Sequence, residues 1–165
     1  MMAAPIKAFR LPRYNEIPSV GLYLEQVTKY IGECLYPVIG EAITSSMIAN
    51  YIKHKLLSNP IKKQYSRELI AYLIYISTVK TVLSMENIRL MISVQQNTYT
   101  PEKAYDYFCS EFENYLQYVF GFKNAPDQIG VENTNEKVML RNAIVTASHK
   151  IYLDKIFRSL QNTEI

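Results

Sequence analysis

Apolar residues recur at helical spacing along most of this chain, and the gaps between the periodic stretches hold helix-start and helix-stop residues. A lead-in punctuated by Pro5, Pro12 and Pro18 reads as extended, with Phe9, Leu11 and Ile17 available to pin it to the body. Leu24, Val27, Ile31 and Leu35 then predict a helix over about Val20–Tyr36, capped by Ser19 and ended by Pro37 and Gly40. Thr44 caps a second helix, Ser45–Lys55. Ile48, Tyr51, Ile52 and Leu56 share its apolar side, and Ser46, Asn50, Lys53 and His54 share the other. After the polar loop Ser58–Tyr65, Ser66 caps a third helix, Arg67 to about Val82. It contains the longest unbroken apolar run, Leu69–Ile76. Periodicity alone does not separate a buried strand from a buried helix in that run, and its β-branched residues lean toward strand. The Ser66 cap and the continuation through Val82 decide for helix. Ser84 restarts the chain as Met85–Ser93, with Ile88, Met91 and Ile92 inward.

Gln95–Thr100 is polar and reads as a linker. Thr100-Pro101-Glu102 supplies a cap, a proline at the first helical position and an acid in the first turn. The helix it opens runs to about Phe120, carries Ala104, Phe108, Phe112, Tyr115 and Val119 as a stripe, and closes at Gly121. Phe122–Asn133, with Pro126, Asp127 and Gly130, reads as a loop. Thr134 caps a last helix to about Leu160, roughly 40 Å long at ~1.5 Å per residue. Leu140, Ile144, Ala147 and Ile151 form one stripe on it, and Leu153, Phe157 and Leu160 a shifted one. The expected fold is all-α.

Composition agrees. With 5 glycines and 7 prolines in 165 residues and 48% hydrophobic content, the chain favours helices over strands and turns and excludes wholesale disorder. Fourteen tyrosines suit half-buried helix faces and interfaces. Net charge is only +3, but it is unevenly spread. Thr44–Tyr99 holds seven basic residues against two acidic ones, whereas the segments on either side are neutral or acidic. A basic surplus confined to one segment is the footprint of a nucleic-acid-binding face, or of a plain solvated one.

Candidate chemistry of other kinds is sparse. The glycines are scattered, so no phosphate-cradling motif exists, and there is no Gly-x-Ser-x-Gly elbow. His54 and His149 lack ligand-spaced neighbours, and Cys34 and Cys109 form no Cys-x-x-Cys pair. Glu111 and Glu113 lie two apart and point to different helix faces. The expectation is a non-enzyme with reduced thiols and no cofactor or metal. No apolar run is long enough to span a bilayer, so a cytoplasmic protein without a membrane partner is expected.

Two resemblances sharpen this. Met47-Ile48-Ala49-Asn50-Tyr51-Ile52-Lys53-His54-Lys55-Leu56-Leu57, then Pro60, then Tyr65-Ser66-Arg67-Glu68, resembles the DNA-binding half of MerR-type regulators. There a recognition helix ends in a basic residue and a Leu-Leu-Pro turn, followed by a wing and a Tyr-Ser-x-Glu/Asp helix start. This chain departs from that pattern in having Lys63-Gln64-Tyr65 where the wing usually has Gly-Tyr-Arg, and in a longer lead-in before the recognition helix. Leu11-Pro12-Arg13-Tyr14-Asn15-Glu16-Ile17-Pro18 is closer still to the opening of an uncharacterised bacterial family, domain of unknown function number eighteen thirty-six. That similarity covers roughly Phe9 to Ile92.

A flexible lead-in over 1–11 and a C-terminal helical appendage over 100–165 follow from the prolines and the polar linker; the resemblance implies a MerR-like winged helix-turn-helix domain over 12–93. It implies a DNA-binding transcriptional regulator, with Ser46, Asn50, Lys53, His54 and Lys55 in the major groove. Lys62, Lys63 and Arg67 are expected on phosphates. A homodimer through Leu153, Phe157 and Leu160 of the last helix is expected as well, and no small-molecule effector is named. The rival is a non-catalytic protein-interaction module that keeps the fold without DNA affinity.

Overall fold

Five hydroxyl side chains fix where helices begin. Thr44 Oγ1 accepts from the Met47 N–H (3.2 Å), Ser66 Oγ from Leu69 (3.3 Å), Ser84 Oγ from Asn87 (3.1 Å), Thr100 Oγ1 from Lys103 (3.3 Å) and Thr134 Oγ1 from Lys137 (3.3 Å). Each opens a helix where the periodic pattern begins. The computed structural model describes residues 4–130 and 132–163. It is all-helical, with α1 (Ala4–Lys7), a single 3-10 turn (Tyr14–Glu16), α2 (Leu24–Leu35), α3 (Ser45–Lys53), α4 (Arg67–Val79), α5 (Met85–Gln96), α6 (Pro101–Val119) and α7 (Asn135–Thr163). Extended pairing among the described residues is limited to two isolated antiparallel bridges, Leu22–Tyr65 and Ile61–Gln64.

The ambiguous apolar run is helix. Leu69 to Ile74 and Ile76 to Val79 are all buried, because α4 is surrounded by α2, α6, α7 and the lead-in. One apolar cluster runs from Ile6 through α4 and α6 to Ile151 on α7.

Several element ends differ from the sequence expectation, each for a local reason. The first long helix begins at Leu24 rather than Val20, because Leu22 exchanges two backbone hydrogen bonds with Tyr65 (3.1 and 2.7 Å) and holds that stretch extended. The Gln26 side chain, not Ser19, accepts from the Tyr23 N–H at its start (2.9 Å). Helix α3 stops at Lys53 because Lys55 turns left-handed (φ 57°), and the Leu56 N–H then closes back on the Tyr51 carbonyl (3.1 Å). Helix α5 extends to Gln96 and absorbs the start of the expected linker. Gln95 there accepts from the Tyr72 hydroxyl (2.6 Å) and donates to the Tyr99 carbonyl (2.7 Å).

The lead-in is not a loose arm over its described part. Ile6, Phe9, Leu11 and Ile17 are buried, and Phe9 packs on Phe112 with ring centroids 5.8 Å apart. Polar ties add to this: the Tyr105 hydroxyl donates to the Pro12 carbonyl (2.8 Å), and Asp106 accepts from the Tyr14 N–H (2.8 Å). Residues 1–3, the tip of the lead-in expected to be flexible, lie outside the described residues. Gly121 (φ 81°) ends α6 as expected, its N–H returning to the Tyr118 carbonyl (3.0 Å).

Candidate nucleic-acid interface

Helix α3 turns its apolar side inward, with Ile48 and Tyr51 buried, and leaves Ser46, Asn50, Lys53 and His54 exposed. This is the division the periodicity predicts. Thr28 Oγ1 on α2 lies 3.0 Å from Ser45 Oγ, which ties the start of α3 to α2. Arg89 on α5 fixes the other end: its Nη2 donates to the His54 carbonyl (2.7 Å). A cation at a helix C-terminus satisfies an orphan carbonyl and opposes the negative end of the dipole. Sequence spacing carries no sign of this contact, because Arg89 lies two helices downstream. Lys80 stands over the Tyr51 ring (5.9 Å to the centroid), and burial lowers its pKa below the ordinary lysine value.

The loop after α3 folds into a two-residue hairpin. Ile61 and Gln64 pair across it, the Gln64 N–H donating to the Ile61 carbonyl (2.9 Å). Lys62 and Lys63 form its tip with φ of 51° and 62°. Positive φ at both central positions is the geometry of a type I′ turn, which ordinarily selects Asn-Gly. Two lysines there are strained, and strain of this kind collects at functional positions. The hairpin is anchored against the segment before α2 by the Leu22–Tyr65 bridge and by Gln64 Nε2 donating to the Tyr23 hydroxyl (3.3 Å). The close approach depends on Gly21: a Cβ there would sit 2.7 Å from Gln64 Cβ.

The cations of this region differ in how they are used. Lys53, Lys55, Lys62 and Lys63 are exposed and have no ion-pair partner among the described residues. Arg67 does not join them. Its Nε donates to the Ile17 carbonyl (2.8 Å), its Nη2 reaches the Asn15 carbonyl (3.4 Å), and the guanidinium lies over the Tyr14 ring (5.8 Å). A cation in the first turn sits badly with the helix dipole. Here the lead-in carbonyls, rather than an anion, meet that charge. Several other cations are neutralised: Arg13 pairs with Glu113 (2.7 Å), Arg141 with Glu111 (3.1 Å) and Lys123 with Asp127. Glu111 and Glu113 thus serve different neighbours on different sides.

On α7, Ile144, Ala147 and Ile151 are buried and Leu140 half-buried, whereas Leu153, Phe157 and Leu160 are 46%, 56% and 56% exposed. The shifted stripe therefore has no cover within the described chain.

Fold and surface together define an all-helical protein with a cationic hairpin beside a polar helix face, and no helix among the described residues is long and apolar enough to cross a membrane. The chain belongs to the family described as Domain of unknown function (DUF1836), whose model matches residues 12–108. That match ends inside α6 rather than at the polar segment before it. No curated protein and no solved structure matches the chain.

Proposed function

We propose that this protein binds double-stranded DNA as a transcriptional regulator. Helices α2 and α3 act as a MerR-like helix-turn-helix, with the Ile61–Gln64 hairpin as its wing. The single observation that carries the reading is the clustering of four exposed lysines, Lys53, Lys55, Lys62 and Lys63, at the end of α3 and the tip of the adjoining hairpin, none of them in an ion pair among the described residues. Ser46, Asn50 and His54 face the major groove on this reading, where an exposed Asn forms bidentate hydrogen bonds with adenine. Lys62 and Lys63 neutralise phosphates and position the helix without reading sequence. Arg67 is withdrawn from the interface, because it holds the lead-in.

The exposed Leu153, Phe157 and Leu160 support pairing of two copies through α7, which lets a dimer cover two half-sites. The same apolar stripe is what favours the rival reading, a protein-interaction module without DNA affinity. Titration of labelled duplexes separates the two. The regulator reading requires Asn50→Ala to cost about 1–3 kcal/mol on a selected site and little on random duplex. Equal loss on both contradicts the placement of α3.

A further inference from the structure

A cavity of about 130 Å³ lies where α4, α5, α6 and the start of α7 meet. It is well away from the polar face of α3. Tyr72, Tyr75, Met91, Phe108, Met139 and Leu140 are among the residues of its wall. The polar atoms of that wall are already engaged with one another. The Tyr72 hydroxyl donates to Gln95 (2.6 Å), and the Tyr75 hydroxyl to Met91 Sδ (3.4 Å). Tyr75 meets Phe108 edge to face, ring centroids 5.2 Å apart. The interior therefore offers mainly apolar and aromatic surface. An apolar cavity of roughly this size accepts a single benzene-sized ring.

The rim has the opposite character. Lys103 Nζ and Lys137 Nζ stand 5.4 and 5.8 Å from the centre of the Tyr99 ring, and Lys137 is also 5.3 Å from that of Tyr107. Neither lysine forms an ion pair among the described residues. Glu136 also lines the rim, so the two ammonium groups leave a net single positive charge there. The first turn of α7 reinforces it, because the positive end of that long helix opens at the same place. A half-open apolar pocket below a cationic rim is the complement of a small amphiphilic anion.

We propose that this cavity binds a small carboxylic acid carrying one aromatic ring. The ring sits among Tyr72, Tyr75 and Phe108, and the carboxylate faces Lys103 and Lys137. The ring fits the aromatic wall by edge-to-face contact, and the carboxylate gains charge-assisted hydrogen bonds where water still reaches the ammonium groups. The proposal is independent of DNA binding, because it is read by ligand occupancy alone.

The experiment uses the full chain, with phenylacetate as the probe and 2-phenylethanol and hexanoate as controls, read by ligand-detected NMR and by thermal shift. Phenylacetate binds and raises the melting temperature. The neutral alcohol binds about tenfold more weakly, the worth of one charge-assisted hydrogen bond near water. Hexanoate, which lacks the ring, falls below phenylacetate as well. Lys103→Gln with Lys137→Gln brings acid and alcohol to within about twofold of each other, because the source of discrimination is gone. Ala104→Leu, which fills the chamber, abolishes binding of both, and Met139→Trp provides the same obstruction from the rim if the first variant folds poorly. Absence of phenylacetate binding at millimolar concentration overturns the proposal. So does a preference for acid over alcohol that survives loss of both lysines, or binding that survives both obstructions.

Discussion

Arg13 and Glu113, a hundred residues apart in sequence, meet fork to fork: Nη1 lies 2.7 Å from Oε2 and Nη2 2.7 Å from Oε1. The same carboxylate accepts the Leu11 N–H (2.8 Å), and the Glu113 hydrogen bond holds the Arg13 guanidinium pKa well above its ordinary value. Two parallel charge-assisted bonds fix orientation as well as contact. This pair ties the lead-in to α6, and α6 in turn packs on α4 and α7.

Because the pair is mostly shielded, removing one partner strands the other. Glu113→Ala should cost about 2–3 kcal/mol in denaturant unfolding, since a guanidinium and a backbone N–H both lose their acceptor. The exposed Arg10–Glu16 pair is the control, because water and salt screen it, and Arg10→Ala should leave the unfolding midpoint unchanged. An equal loss from both substitutions would refute the role given to Glu113.

The hairpin tip predicts a conflict between stability and binding. Replacing Lys62 by Asn and Lys63 by Gly gives the residues that φ of 51° and 62° ordinarily select. The double variant should gain about 1–2 kcal/mol in stability through relief of backbone strain. It should also bind duplex DNA more weakly. A gain in stability with no loss of binding would mean the lysines have no DNA role.

Alkaline pH should weaken the fold. Burial pushes the Cys34 thiol up to about 11, and Cys109, Tyr30 and Tyr51 up to about 12. These acids stay neutral in the folded chain at a pH where the unfolded chain would ionise them, from 9.0 for the thiols and 10.0 for the phenols. Their contribution is therefore complete below about pH 9 and is lost as pH rises through about 11 to 12. Melting temperature measured from about pH 8 upward should hold level and then fall, with the last part of the tyrosinate absorbance, that of the buried phenols, rising together with unfolding. Complete tyrosinate formation while the helical signal is still intact would contradict the burial of these groups.

The uncovered stripe on α7 predicts assembly. Light scattering at micromolar concentration should give the mass of two chains. Phe157→Glu should return it to one, because a charge would enter a desolvated contact. A dimer that survives this substitution places the interface elsewhere, and a monomer at all concentrations removes pairing through α7.

Local chemistry made much of this fold legible in the sequence. Thr44, Ser66, Ser84, Thr100 and Thr134 announce helix starts because a cap acts within three residues of itself. The Ser66 cap and the length of the run past Leu69 were enough to read α4 as helix despite its β-branched content. The exposed face of α3 and the shifted stripe of α7 followed from the 3.6-residue period. What stayed hidden depends on distant partners. Nothing near Arg67 tells that its guanidinium will meet the Ile17 carbonyl, and nothing near Arg89 that it will close the end of α3. The left-handed turns at Lys55, Lys62 and Lys63 were equally silent, because lysine is not a residue from which positive φ is read. The cavity rim escaped for the same reason: Lys103 and Lys137 come together only through the packing of α6 on α7.

The proposed recognition of DNA by Lys53, Lys55, Lys62 and Lys63 is tested most directly by the salt dependence of duplex binding. Four phosphate contacts, from Lys53, Lys55, Lys62 and Lys63, predict that log affinity falls with log salt at a slope near −3.6, about 0.9 per contact. Loss of Lys62 and Lys63 should reduce the slope to near −1.8 on any duplex. Absence of binding at low salt, or a slope unchanged by losing both hairpin lysines, would contradict the account.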